Sequence, residues 1–335
     1  MNILLTGSSG FIGFHLAKKL ISMGHSITGI DNMNDYYDVS LKKSRLKDLN
    51  EFDQSVNSLP NFTFFEMDIS DRISLNEVFD GQSFDIVINL AAQAGVRYSL
   101  ENPFAYLDSN LSGFLNILEC TRRSKVEHLI YASSSSVYGM NSKQPFQTED
   151  NTDYPISLYA ATKKSNELMA FTYSHLYGIP ITGLRFFTVY GPYGRPDMAY
   201  FKFTKSIIEG EPIEVYNSGK MKRDFTYIDD TVDAIVKLIE LPPRHQNYDG
   251  THARARHNLF NLGNNNPITL DRFISAIEAS LKIQAKKINL DMQPGDVPVT
   301  YADIDKLDEY INFRPSTQIE DGIKMFVGWY KNYYE

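Results

Sequence analysis

MNILLTGSSGFIGFHLAKKL, residues 1–20, decides the fold: an apolar run from Asn2 to Thr6, a turn carrying Gly7, Gly10 and Gly13, and a helical pattern beginning near Phe11. Strand, glycine turn and helix in that order read as a dinucleotide-binding loop. The glycines permit a tight turn and let backbone N–H groups approach a pyrophosphate at the positive end of the helix. The next apolar run, Ser26 to Ile30, ends at Asp31, about 20 residues beyond the loop, where a carboxylate can accept hydrogen bonds from a ribose 2′-hydroxyl. A 2′-phosphate would meet that carboxylate as a like charge. The surrounding GIDNMN offers no arginine to neutralise it, so NAD is favoured over NADP.

Further apolar runs at Phe62 to Met67, Ile86 to Leu90, His128 to Ser133 and Ile181 to Phe186 alternate with helical patterns. The alternation predicts an α/β architecture, a Rossmann-type doubly wound parallel sheet. Residues 1–180 form the NAD-binding part and carry the catalytic residues; residues 181–335 form a smaller C-terminal α/β domain, mainly for substrate, whose chain crosses back to the sheet. Between Asp31 and Phe62, the charges and leucines of MNDYYDVSLKKSRLKDLNEFDQSVNSLP predict an insertion, a solvent-facing helix after an aromatic loop. Beyond about residue 190, Pro and Gly punctuation and polar loops, notably Pro242 to His257, predict a ligand-binding cap.

The 335 residues carry a formal net charge of −8, which disfavours nucleic acid as a partner because such contact relies on a basic surface. Cys120 is the single cysteine, so neither an intramolecular disulfide nor a cysteine-held metal is expected. The start of the sequence leaves no space for a secretory leader, and no apolar run approaches the roughly 18 to 20 residues that cross a bilayer. A cytoplasmic protein is expected.

Tyr159 and Lys163, in PISLYAATKKSNELMAF, are four apart on a helical pattern and share one face. A phenol with a pKa near 10 is a poor base at neutral pH, but a neighbouring ammonium and a positive nicotinamide ring favour its phenolate. The hydroxyl run Ser133 to Ser136 follows an apolar strand, at the carboxyl edge where open α/β sheets bind ligands.

GxxGxxG at Gly7, Asp31, Asp68 after FFEM, NLAAQAGVRYS from Asn89 to Ser99, Asn110, SSSSVYG and YxxxK together resemble the extended short-chain dehydrogenase/reductase family. Within it, AAQAGVRYSLENP, RFFTVYGPYGRPDMA, KRDFTYIDD and QPGDVPVTYAD are similar to the UDP-glucuronate 4-epimerases. The resemblance implies Ser134, Tyr159 and Lys163 as catalytic residues. It implies an NAD site lined by Phe11, Ile12, Asn32, Asp68, Ile69, Leu90, Ala91, Ala92, Asn110, Ser133, Phe186 and Val189, with the glycines and Asp31. One departure is Asn89, where relatives often carry a histidine.

The implied reaction is oxidation of the sugar at C4, rotation of the 4-keto sugar about its diphosphate, and reduction from the other face. Tyr159 takes the O4 proton, Ser134 orients that oxygen and Lys163 binds the nicotinamide ribose. Related decarboxylases place a glutamate two residues before the VYG tyrosine, and dehydration needs a similar acid. Ser135 and Ser136 stand there, and an unassisted hydroxyl is too weak an acid or base for either reaction.

For the substrate, the resemblance implies Arg223 on the diphosphate, Asp296 on the uridine ribose, and Val215. A buried hexuronate carboxylate requires a cation and directed hydrogen bonds, which selects Thr188 and Arg195, with Ser136 assisting and Arg97 as a second candidate. Two alternatives stay open: a 4-epimerase of UDP-glucose or UDP-N-acetylglucosamine, and a non-catalytic NAD-sensing regulator. Relatives commonly pair through helices corresponding to that of Tyr159 and that before Cys120, which implies a homodimer.

Overall fold

A computed structural model describes residues 1–57, 60–248, 254–291 and 299–335. Seven parallel strands form its central sheet: β1 (Asn2–Thr6), β2 (Ser26–Asp31), β3 (Phe62–Glu66), β4 (Ile86–Asn89), β5 (His128–Ser134), β6 (Ile181–Phe186) and β7 (His257–Leu262). Their order is β7-β6-β5-β4-β1-β2-β3. Leu5 is registered with Gly29 on one side and Ile88 on the other. Chain order reverses at β1, so a crevice opens beyond the carboxyl ends of β1 and β4, where such sheets take ligands.

The crossovers carry α1 (Phe11–Ser22), α2 (Val39–Val56), α3 (Arg72–Gly81), α4 (Phe114–Ser124) and α5 (Leu158–Tyr177). Ile3 and Leu5 point into one core and Leu4 into the other, on opposite faces of β1. With both faces covered, strands such as Ile86–Asn89 are buried along their whole length, which explains their uninterrupted apolar runs. Each of the six expected strands ends within a residue of its expected boundary.

Two expectations require correction. The α2 helix is not simply solvent-facing: Leu41, Lys42, Arg45, Leu49 and Asp53 are buried. Arg45 is fully buried and donates from Nη1 to the Ser9 carbonyl at 2.9 Å and to Tyr37 Oη at 2.6 Å, and from Nη2 to the Tyr193 carbonyl at 2.7 Å. The inserted helix thereby clamps the glycine turn, because a buried guanidinium must find carbonyl or hydroxyl acceptors. The other correction is β7, whose first residue was expected to end a polar loop and which instead pairs with β6 along its whole length.

Outside the main sheet, Lys222–Tyr227 pairs with Thr188–Tyr190, Pro267–Thr269 and Val299–Thr300, and Ile213–Tyr216 pairs with Lys287–Leu290. Helices Leu270–Leu281 and Ile319–Tyr334 pack on each other beside them. The segment that follows Tyr190 brings Arg195 and Met198 to the crevice. Among the described residues no helix is long and apolar enough to cross a membrane.

Candidate active site

The glycine turn is built for close approach. Gly7 has φ +72°, and a Cβ there would lie 2.9 Å from the Ala91 nitrogen; a Cβ at Gly13 would lie 2.0 Å from the Gly7 carbonyl oxygen. Gly10 caps α1 without a side chain, so no side-chain oxygen occupies the N–H groups of its first turn. These features suit a dinucleotide pyrophosphate, which needs exposed N–H groups and backbone at van der Waals distance. Asn89, the departure noted above, is buried and accepts from Thr6 Oγ1 at 2.7 Å, and the same hydroxyl accepts from the Ala91 nitrogen at 3.1 Å. It therefore ties β1 to β4 at the crevice.

At the carboxyl end of β2, Asp31 Oδ1 accepts from the Met33 nitrogen at 2.9 Å and faces Lys42 Nζ at 3.4 Å. The cation near Asp31 that the local sequence lacked thus arrives from α2. Lys42 also donates to Asn34 Oδ1 at 3.0 Å. Asp68 accepts from Asn32 Nδ2 at 2.6 Å and from the Ser70 nitrogen at 2.8 Å. Burial pushes the Asp68 carboxyl up, but these donors outweigh it and hold the group below the usual carboxylate range.

Ser134, Tyr159 and Lys163 come together where β5 meets α5. Ser157 caps α5, accepting from the Ala160 nitrogen at 3.1 Å, and so fixes the start of the turn bearing Tyr159. Ser134 closes β5, and its Oγ accepts from the Ser136 nitrogen and donates to Ser136 Oγ, both at 3.1 Å. Burial raises the Tyr159 phenol; a hydrogen bond with Ser134 and the charge of Arg195 pull it down. Lys163 was expected to supply that pull. Its Nζ instead donates to the Ala132 carbonyl at 2.9 Å, the partner a buried ammonium requires, and burial lowers its pKa to about 8.

One cleft brings together Gly7, Gly10, Phe11, Ile12, Gly13, Asp31, Asn32, Asp68, Ile69, Leu90, Ala91, Ala92, Ser133, Ser134, Tyr159, Lys163, Phe186, Val189 and Arg195. Asn110 is not on its wall. It lies buried in a π-helical turn, Leu107–Gly113, where its Oδ1 accepts from the Gln93 nitrogen at 2.8 Å and its Nδ2 donates to the Gln93 carbonyl at 3.1 Å. Asn110 thereby holds Gln93, which does line the cleft.

Arg97, Ser136, Thr188, Val215 and Arg223 do not line this cleft either. Val215 is a core residue, 1% exposed, in the strand Ile213–Tyr216. Arg223 is half-buried and donates to the Lys222 carbonyl at 2.9 Å. Asp296 lies outside the described residues.

Sequence reasoning missed Tyr36, Tyr37, Lys42 and Tyr200, which share the cleft, and Asp197 beside it. Arg195 grips Asp197 with Nε and Nη2, and Tyr36 donates to the same carboxylate at 3.1 Å. Tyr106 meets the Tyr159 ring edge to face at 6.0 Å and donates to the Ala94 carbonyl at 2.9 Å. The pair of tyrosines in the aromatic loop was the only local signal for any of these. Among the described residues, no group of three or more His, Cys, Asp or Glu side chains is placed to hold a metal.

A glycine-turn crevice on a parallel sheet, with Ser134, Tyr159 and Lys163 at its far end, defines a nicotinamide-dinucleotide enzyme of the short-chain dehydrogenase/reductase type. The chain belongs to the NAD dependent epimerase/dehydratase family, whose profile matches residues 3–251. It is 54% identical to Protein CapI of Staphylococcus aureus over the full length of both chains. It is 47% identical to a probable UDP-glucuronate 4-epimerase of Rhizobium meliloti strain 1021, covering 100% of this chain and 98% of that one. Among solved structures it resembles the UDP-glucuronic acid 4-epimerase of Bacillus cereus in complex with UDP-glucuronic acid and NAD. The TM-score is 0.86 at 32% identity, with both chains covered completely.

Proposed function

We propose that this chain interconverts UDP-glucuronate and UDP-galacturonate by NAD-dependent epimerisation at C4. The observation that carries this reading is the convergence of Tyr159, Ser134 and Arg195 at one end of the cleft that begins at the glycine turn. The family's cofactor and the similarity to UDP-glucuronate 4-epimerases support it.

NAD, when bound, supplies a reversible two-electron acceptor for the C4 carbon. Tyr159 removes the O4 proton and returns it after the sugar has turned. Ser134 donates to or accepts from that oxygen, and its hydrogen bond and the Arg195 charge stabilise the phenolate. Lys163, anchored on Ala132, orients the nicotinamide ribose. Arg195 receives the hexuronate carboxylate with Thr188, Ser136 and Arg97 as further candidates; Arg223 and Asp296 serve the UDP moiety. Asp31, Asn32 and Asp68 hold the adenosine, and Asn110 acts through Gln93.

The same reading divides the chain at 180/181, with the later residues mainly binding UDP-sugar and returning twice to the sheet. It also places the protein in the cytoplasm as a homodimer. Apolar side chains of Leu115 on α4 and of Leu168, Leu176 and Tyr177 on α5 are exposed, which supports pairing through these helices. Cys120, a buried free thiol, suits a reducing compartment.

Incubating the purified protein with UDP-glucuronate and following the sugar anomeric signals by NMR tests the reaction. Appearance of UDP-galacturonate is expected, and no turnover of any UDP-sugar would leave only a non-catalytic NAD-binding role. Arg195→Met should lower turnover of both sugars, because its charge stabilises the Tyr159 phenolate, but lower it much further on UDP-glucuronate; an equal loss on the two sugars would remove the case for a hexuronate.

A further inference from the structure

The cation assigned to the hexuronate already holds a carboxylate of its own chain. Arg195 donates from Nε to Asp197 Oδ1 at 3.0 Å and from Nη2 to Asp197 Oδ2 at 2.5 Å. This side-on fork offsets the guanidinium charge while leaving Nη1 outside it. Both side chains are about three-quarters covered, at 24% and 26% exposure, so the pair interacts through more protein than water. Tyr36, from the loop before α2, donates to Asp197 Oδ2 at 3.1 Å, with its ring 5.9 Å from the guanidinium.

We propose that Asp197, engaged by Tyr36, is a positioning residue that competes with the substrate carboxylate for Arg195 and so limits the preference for a hexuronate over a neutral hexose. The proposal rests on the hexuronate reading above. An entering C6 carboxylate meets a cation whose charge is already largely offset, so its binding is weaker than a lone arginine would give. A sugar with a C6 hydroxymethyl group leaves the Arg195–Asp197 pair satisfied, whereas a lone buried cation would penalise it. Asp197 therefore narrows the difference between the two sugars. Tyr36 works against it, because its hydroxyl takes up part of the Asp197 charge and frees Arg195 for the substrate.

The test is a comparison of kcat and KM on UDP-glucuronate and UDP-glucose for the full chain with NAD, as wild type, Asp197→Asn and Tyr36→Phe. Asp197→Asn keeps shape and one acceptor for Arg195 while removing the charge. It should lower KM for UDP-glucuronate by about five-fold and raise the glucuronate-to-glucose ratio of kcat/KM. Tyr36→Phe should move KM for UDP-glucuronate the other way, up by about two- to three-fold.

A residue that merely props Arg195 would give the opposite sign in Asp197→Asn. A raised KM or an unchanged or reduced ratio, with wild type still preferring UDP-glucuronate, overturns the proposal alone. An unchanged or lowered KM in Tyr36→Phe also overturns it. Equal turnover of both sugars by wild type overturns the hexuronate reading and the proposal together.

Discussion

Lys42 Nζ lies 3.4 Å from Asp31 Oδ1, with the two side chains only 6% and 7% exposed. The carboxylate expected to bind the adenosine ribose is thus half of a buried ion pair, and its partner comes from the inserted helix. Breaking such a pair from one side strands a buried charge. Lys42→Met should therefore destabilise the chain by about 3 kcal/mol, measured by urea unfolding without cofactor. Adding Asp31→Asn should recover most of that loss and leave NAD binding about ten-fold or more weaker, because the ribose acceptor is gone. Failure of the second substitution to recover stability would show that the charge pair is not what Lys42 contributes.

The glycine turn should tolerate no side chain at its third position. A Cβ at Gly13 would sit 2.0 Å from the Gly7 carbonyl oxygen, which is backbone and cannot rotate away. Gly13→Ala should push α1 from the turn, with a cost of about 1–3 kcal/mol for the overpacking and loss of measurable NAD binding by fluorescence titration. Gly24→Ala provides a control at a glycine with open space around the Cβ position, although its φ of +80° brings a smaller backbone penalty of its own.

What was legible from the residues and what was not divide along a physical line. The β1–glycine–α1 unit is local, and its strand, turn and helix are each written within about ten consecutive residues, so the fold and the anion seat could be read directly. Lys42 and Arg45 look like solvated charges on a polar helix; only the docking of α2 against the glycine turn turns them inward. Strand β7 was hidden because Asn258 and Asn261 interrupt its apolar pattern. Asn261 is satisfied by groups distant in the chain, Tyr138, Phe146 and Asp303, whereas Asn258 is met only at Oδ1, by Gln246. Tyr36 and Asp197 meet across 161 positions, a separation at which no spacing rule operates. Tyr159, Lys163 and Ser134 do share one cleft; a helix turn and a strand end made them candidates, but it was the resemblance, not the spacing, that singled them out.

The folded state should become more stable as pH rises through the range in which Lys163 titrates. Burial lowers its pKa from 10.5 to about 8, so between those values the unfolded chain binds more protons than the folded one. Stability then increases with pH across that window, whereas below about pH 8 the folded chain bears the full cost of a buried ammonium. Lys163→Met removes the dependence. The difference in unfolding free energy between wild type and Lys163→Met, followed from pH 7 to pH 10.5, should shift in favour of wild type by a few kcal/mol at most. A flat difference would mean that the Ala132 carbonyl holds the ammonium at its ordinary pKa.

Beneath the catalytic residues, Glu167 Oε1 receives Arg185 Nε at 2.8 Å and Ser133 Oγ at 2.7 Å, while Oε2 receives Arg185 Nη2 at 2.9 Å. Glu167 lies one helical turn beyond Lys163, Arg185 precedes Phe186 of the cleft wall, and Ser133 precedes Ser134. This one buried pair therefore fixes three elements that carry the site, and its removal should separate stability from turnover. Arg185→Met alone leaves the buried Glu167 carboxylate with only the Ser133 hydroxyl and the more distant Lys164 ammonium at 3.9 Å, and should cost about 3 kcal/mol. Combining it with Glu167→Leu replaces both charges with apolar groups, which should bring stability back to within about 1–2 kcal/mol of wild type. Ser133 then loses its acceptor and β5 loses its tie to α5 through Glu167, leaving that of Lys163 to the Ala132 carbonyl, so kcat of the refolded double variant should stay at least about ten-fold down with KM little changed. Full recovery of kcat alongside stability would mean that packing alone places Ser134 and Tyr159, and that the ion pair contributes nothing to their alignment.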